Sequence, residues 1–200
     1  MNTELIVKLR EKTGAGMVDV KNALEEAGGD AVKAEETLRK KGIAKAVKKA
    51  ERSTGEGVVH TYIHGGGKIG VLVEVLCETD FVARTEAFQS LVHDLALHIA
   101  AMDPLYLSSE IVPPEVLEKE KEILMGELKA EGKPVEIIAK ILDGKVQKYY
   151  SEVCLLNQPY FKDDKKTVAE VMQEAVSKLG ENIQISRFTR YVLSGGSRTC

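Results

Sequence analysis

The chain is 200 residues long, with 44% of them apolar or aromatic and 30% charged, a balance that excludes wholesale disorder. It suits one ordinary domain, or a small domain attached to a medium one. Lys and Arg number 28 against 31 Asp and Glu, so no overall basic coat for nucleic acid exists, although a local patch stays open.

Thr3 can cap a first helix carrying Leu5, Ile6 and Leu9 on one side, ended by Thr13-Gly14-Ala15-Gly16. A second runs from Met17 to about Ala27, burying Val20, Ala23 and Leu24, and stops at Gly28-Gly29. Asp30 caps a third that uses Ala31, Ala34 and Leu38 and ends at Gly42. Three helices this short bury one small cluster. Met17 and Val18, beside a glycine-rich turn, then form an exposed apolar edge suited to docking; ordinary core positions are the alternative. Leu38 to Arg52 carries seven bases and only Glu51 as an acid. Spacing by three and four residues reads as an exposed helical linker with solvated bases. Contact with RNA phosphates is the other reading, and no aromatic lies among these residues to stack a base. Ser53 to Gly57 marks a boundary, dividing a first domain (1–53) from the rest (54–200). Residues 1–53 hold 12 Lys/Arg against 9 Asp/Glu, and 54–200 hold 16 against 22.

The second region opens with β-rich runs, Gly57 to His64 and Lys68 to Cys77, joined by Gly65-Gly66-Gly67 as a hairpin. From about Thr85 to Met102, Phe88, Leu91, Val92, Leu95, Ile99 and Met102 recur at helical spacing. Pro113-Pro114 opens a helix that stops near Gly132-Lys133-Pro134, and another continues to about Tyr149. Together they predict a helical hairpin over 114–149, with Leu117, Leu124 and Leu128 facing Ile138, Ile141 or Leu142, and Val146. Tyr150 to Leu156 reads as extended, and Asp163-Asp164 as a solvated turn. Thr167 to Glu170 spells a capping box for a helix ending at Gly180, and Ile183 to Leu193 closes as a strand. The fold class is α+β with a mainly antiparallel sheet, whose small size leaves an edge to cover; self-association is one way to do so.

The most apolar stretch, Ile69 to Cys77, contains Glu74 and is too short to span a bilayer. The N-terminus mixes acids with bases and has no apolar signal core. Cys77, Cys154 and Cys200 show no metal-type spacing and are odd in number, which fits a reducing cytoplasm. Cys77 reads as an inert core thiol, and terminal Cys200 as part of a disordered tail or a site of oxidation between chains. Gly65-x-Gly67-x-x-Gly70 matches a dinucleotide fingerprint in letters, but a strand follows where a helix is required. No phosphate-loop, nucleophile-elbow or zinc-helix motif occurs. His60 and His64 share a strand face without a third metal ligand, and His93 and His98 lie on different sides of a helix as packed or solvated groups. Neither a catalytic constellation nor a cofactor site emerges.

One corner is unusual. Glu78 to Arg84 joins a buried strand to an amphipathic helix. In one reading Thr79 or Asp80 caps the helix and Phe81 staples into the core. In the other, the corner projects an acid and a ring together, a pair able to wedge into a partner.

Five segments carry a resemblance: TGAGMVDVKNALEEAGGD (Thr13 to Asp30), LRKKGIAKAVKKAER (Leu38 to Arg52), VLCETDFVAR (Val75 to Arg84), GKPVEIIAKILDGKVQKYYSEVCLLNQPYFKDDKKTV from Gly132, and GENIQISRF from Gly180. They resemble bacterial translation elongation factor Ts, in the family's order, from Thr3 to Leu193; the tail Ser194 to Cys200 matches nothing. The resemblance implies a guanine nucleotide exchange factor for elongation factor Tu that performs no reaction itself and needs no nucleotide, metal or cofactor of its own. It implies an N-terminal module like a ubiquitin-associated domain that docks on the partner through Leu9, Met17 and Val18, the last replacing a methionine often found there. Thr79, Asp80, Phe81 and Val82 correspond to the corner inserted near the partner's magnesium and phosphate site, and His64 lies in a hairpin that also touches the partner. The chain resembles the short form of the family, in which a homodimer binds two partners in the cytoplasm. An RNA- or ribosome-binding protein using Leu38 to Arg52 is the rival reading; a hydrolase built on His64 and Asp80 lacks a nucleophile.

Overall fold

The computed structural model describes residues 3–130 and 134–200. Helices α1 (Thr3–Thr13), α2 (Met17–Glu26) and α3 (Ala31–Lys49) come first. Asp30 caps α3 by accepting from the Val32 and Lys33 amides, and Leu9, Val20, Ala23, Leu24, Ala34 and Leu38 close a small core between the three helices. The third helix does not stop at Gly42. There α3 crosses α8 (Val168–Leu179) so closely that a Cβ on Gly42 would stand 3.0 Å from Ser177 Oγ. Gly42 is therefore a packing residue within the helix, which continues through the basic stretch to Lys49.

Strands β1 (Glu56–His64) and β2 (Ile69–Cys77) form the hairpin, with β1 residues 56–64 matched in register to β2 residues 77–69. A one-turn helix, α4 (Asp80–Ala83), and the long α5 (Glu86–Met102) follow. Next come α6 (Pro114–Ala130) and α7 (Val135–Val153), tied by a 2.8 Å ion pair between Lys145 and Glu127, with Leu128, Ile138 and Val146 buried. Gly132 and Lys133, the expected break, lie outside the described residues. Tyr150 to Leu156 is not extended: α7 runs on to Val153, and a single 3-10 turn at Leu155–Asn157 places Leu155 in the core. The aromatic and β-branched residues that suggest a strand here serve a helix face instead, since tertiary contact overrides local propensity.

Asp163-Asp164 also departs from expectation. It begins β4 (Asp163–Thr167), paired with β3 (Pro159–Tyr160) in a separate ribbon whose residues show no alternation of apolar and polar. Thr167 then caps α8 through a complete capping box with Glu170, as its sequence predicts. Strand β5 (Gln184–Val192) pairs antiparallel to β2, and β6 (Gly196–Thr199) pairs antiparallel to β5, giving the order β1-β2-β5-β6. The tail is thus structured. Phe188 and Cys200 exchange both backbone hydrogen bonds, and the Cys200 thiol donates to Leu105 O at 3.0 Å.

The main core lies on one face of this sheet. Val71, Val73, Val75 and Cys77 from β2 and Ile185 and Phe188 from β5 meet Phe88, Val92, Leu95 and Ile99 of α5 and Val168, Met172 and Val176 of α8. Each such side chain contributes roughly 1.5–3 kcal/mol on burial. The opposite face leaves Val59, Ile63, Leu72 and Tyr191 exposed. Two polar groups in the core are fully engaged. Arg190 donates to Ala100 O and Asp103, satisfying the end of α5 with a cation. His98 bonds Gln158 Oε1 through Nε2 at 3.0 Å, and its Nδ1 accepts from the Phe161 amide at 3.3 Å. Among the described residues no helix is long and apolar enough to cross a membrane.

Gly57 has φ +149°, and a Cβ there would run into Val75 O of the neighbouring strand. Gly57→Ala is expected to cost about 3 kcal/mol, lowering the melting temperature by roughly 5–10 °C. Gly66→Ala, at φ +66° with open space around it, should cost only about 1–2 kcal/mol. Thermal unfolding followed by circular dichroism compares the two.

Burial holds the His98 imidazolium pKa below its ordinary value, and the same cause acts on His60 beside His93. The unfolded chain therefore takes up the proton first. This stability is fully present above the ordinary histidine value of about 6.5 and is lost as pH falls through the lowered one. The melting temperature should decline from pH 7.5 to 5.5, and decline less steeply in His98→Gln.

Candidate functional site: the corner between β2 and α5

Between Cys77 and Glu86 the chain must turn from a buried strand into a buried helix. Thr79 supplies the N-cap of α4: its hydroxyl oxygen accepts from the Val82 amide at 3.4 Å while its proton goes to Glu181 Oε1 at 2.6 Å. Glu181 Oε2 accepts from the amides of Glu78 (3.1 Å) and Thr79 (3.0 Å). Thr85 caps α5 by accepting from the Phe88 amide, and its hydroxyl donates to Val82 O at 2.8 Å. Gln89 donates to Ala83 O at 2.7 Å. The one-turn helix is therefore held at both ends.

Successive helical residues point about 100° apart. Ala83 is buried and Val82 packs against the core, so the preceding two side chains are turned outward. Phe81 is 81% exposed, the most exposed large apolar side chain described, and so it does not staple into the core. Asp80 pairs with Arg84 at 2.9 Å, and both keep much of their surface in water. A carboxylate and an unpartnered phenyl ring project together from a rigid base.

The other expected residues are distributed as follows. Met17 and Val18, at the start of α2, are 47% and 69% exposed. Leu9, expected with them at the docking edge, is instead 4% exposed within the three-helix core, packed with Val20, Ala23 and Leu24. His64 is exposed beside the glycine turn, with Nδ1 3.0 Å from the Tyr62 hydroxyl. His60 Nε2 lies 3.3 Å from His93 Nδ1, and the described residues contain no group of three or more His, Cys, Asp or Glu able to hold a metal. Burial raises the Cys77 thiol pKa, as an inert core thiol requires.

The basic stretch is largely engaged within the chain. Arg39 bonds Glu170 and approaches Glu174, Lys41 pairs with Glu26, Lys45 with Asp19 and Arg52 with Glu78, while Lys49 donates to Gly180 O. These contacts fasten α3 to α2 and to the core. Sequence reasoning missed Glu181 and Asn182. Their nearest signal is the GENIQISRF segment itself, which gives no hint of which distant backbone they reach.

The sequence model of the family described as Elongation factor TS matches residues 15–194. The chain belongs to the elongation factor Ts family. It is 56% identical over 196 residues to an elongation factor Ts of Anaeromyxobacter sp. (strain Fw109-5), covering 98% of this chain and 90% of that one. An elongation factor Ts of Caldanaerobacter subterraneus subsp. tengcongensis is 55% identical over 191 residues, 96% of each chain. That of Thermosipho melanesiensis is 53% identical over 193 residues, 96% of this chain and 98% of the relative. As an elongation factor Ts family member the chain is not an enzyme.

Proposed function

We propose that the chain is the guanine nucleotide exchange factor of elongation factor Tu, acting in the cytoplasm by inserting the Thr79–Val82 corner near the partner's magnesium and phosphate site. The observation that carries this reading is the Phe81 ring, held out in solvent on a helix tied down at both ends. An exposed phenyl on a preorganised base gains roughly 1.5–3 kcal/mol when a pocket receives it, with little ordering cost. A translational GTPase holds GDP through a phosphate-cradling loop and a magnesium ion bridging phosphate oxygens to protein. Phe81 displaces the groups around that ion, and Asp80 brings a carboxylate close to them. The bound diphosphate then loses charge compensation and leaves. The coupling is reciprocal: the factor weakens GDP by the same factor by which GDP weakens it, so incoming GTP ejects it.

In this reading residues 1–53 are the docking domain, similar to a ubiquitin-associated domain. Met17 and Val18 form its contact edge, Leu9 belongs to its core, and His64 adds a further contact from the β1 turn. Residues 54–200, including the helical hairpin 114–149, form the core and the dimerisation domain. The exposed Val59, Ile63, Leu72 and Tyr191 supply an apolar sheet face for a second copy, so two copies bind two partners. The chain binds no nucleotide, DNA or cofactor of its own.

Release of fluorescent GDP from elongation factor Tu, timed by stopped flow, is expected to accelerate many-fold on adding the protein. Phe81→Ala and Asp80→Ala should each slow that accelerated release by about tenfold or more, corresponding to about 1.4 kcal/mol of lost coupling. Their melting temperatures should stay close to the parent's, because neither side chain is buried. Unchanged release in the double variant would overturn the wedge.

Light scattering at micromolar concentration should give twice the chain mass of 21.9 kDa. Leu72→Lys combined with Tyr191→Lys should return the mass of one chain; a single-chain mass for the unaltered protein would remove the dimer.

A further inference from the structure

Three segments distant in sequence meet beneath the corner. They are the end of α3 with the turn after it (Ala50 to Arg52), the β2–α4 junction (Glu78, Thr79) and the α8–β5 junction (Glu181, Asn182). Two acids are exchanged across the second and third. Glu181 accepts three hydrogen bonds from the β2–α4 junction, while Glu78 Oε1 accepts from the Asn182 amide at 2.6 Å. Asn182, itself buried, donates from its side chain to Ala50 O at 3.2 Å and Arg52 O at 2.8 Å. Arg52 closes the circuit on Glu78 at 3.4 Å.

The stakes are set by charge and partial burial. A carboxylate accepting from backbone amides and a hydroxyl makes hydrogen bonds about twice as strong as neutral ones. Removing it strands three donors that water only partly reaches. α4 is a single turn, too short to hold its own direction by helical cooperativity. Its N-terminal orientation is therefore supplied from outside, by a residue 102 positions beyond Thr79.

We infer that Glu181 is a positioning residue for exchange: its carboxylate fixes the direction in which Asp80 and Phe81 leave the fold, and Glu78 with Asn182 joins that fixture to the end of α3. Glu181 touches neither the partner's nucleotide nor its magnesium. It sets how much of Phe81's contact is realised when the nucleotide leaves, rather than how well the N-terminal helices dock. This inference rests on the wedge reading above.

The test is a kinetic cycle on the full chain, using fluorescent GDP release from elongation factor Tu over a range of factor concentrations. Glu181→Ala is expected to lower the plateau release rate by about tenfold. The concentration giving half the plateau should move by less than about twofold, since docking lies elsewhere. Glu181→Gln, which keeps an oxygen acceptor for the amides, should recover part of the plateau. In the Phe81→Ala background, Glu181→Ala should cost clearly less than in the parent, because one of the two side chains it directs is gone. Equal loss in both backgrounds would overturn the inference and leave a general structural role. If Phe81→Ala itself leaves release unchanged, the wedge reading fails first and the inference falls with it. If Phe81→Ala slows release while Glu181→Ala does not, the wedge stands and only the positioning role is lost. Should Glu181→Ala fail to fold, Glu181→Asp, which keeps the charge but draws the carboxylate back by one methylene from its three donors, takes its place in the cycle.

Discussion

The inner face of β2 is covered by α5, and most of the remaining architecture follows from that contact. Val71, Val73, Val75 and Cys77 present four apolar groups at strand spacing, and Phe88, Val92, Leu95 and Ile99 present four at helix spacing. Both elements are connected through eight residues, from Glu78 to Thr85, that must reverse direction without entering the core. The corner is thus short because its flanks are fixed, and its side chains divide by geometry. Val82 and Ala83 face inward, leaving Asp80 and Phe81 to solvent. An apolar ring that elsewhere in this chain would be buried is held in water by the packing of its neighbours.

Helix α8 plays the corresponding part for the N-terminal helices. Gly42 lies against Ser177, Arg39 reaches Glu170 and Glu174, and Lys49 reaches the carbonyl of Gly180, which ends α8 with φ +83°. The bases look like a surface for an anionic polymer when counted along the sequence. In the fold, Arg39 and Lys49 are spent on the α3–α8 junction, and Lys41 and Lys45 on the acids of α2. Exposed pairs of this kind contribute little individually, about 0–1 kcal/mol each. The close approach permitted by Gly42 and the buried Ala46 carry more of the attachment.

Much of this was legible from residues alone wherever periodicity and punctuation agree. The hairpin with its three glycines, the α5 repeat, and the Thr167–Glu170 box each fix an element through local chemistry. The failures share a cause. Gly42 reads as a stop because its packing partner lies 135 residues away, and Tyr150–Val153 reads as a strand because the face it serves is tertiary. The β3–β4 ribbon carries no alternation to read. Phe81 was ambiguous for a subtler reason: whether a ring after a cap turns inward depends on which neighbour occupies the interior first. The motif marks Thr79–Val82, but the Glu181 carboxylate beneath it arrives from a distant segment that meets the corner only in the folded chain.

The closing strand β6 has a consequence for the molecule's behaviour in a crowded cell. By lying along Thr189–Val192 it saturates the amide and carbonyl groups on that margin with the chain's own last residues. The open margin on that side thereby moves from β5 to a strand of only four residues, and so short an edge offers little ladder for a foreign extended segment to continue. Strand β1 at the far margin is nine residues long, which makes it the longer of the sheet's two open edges and the more favourable place for an added strand.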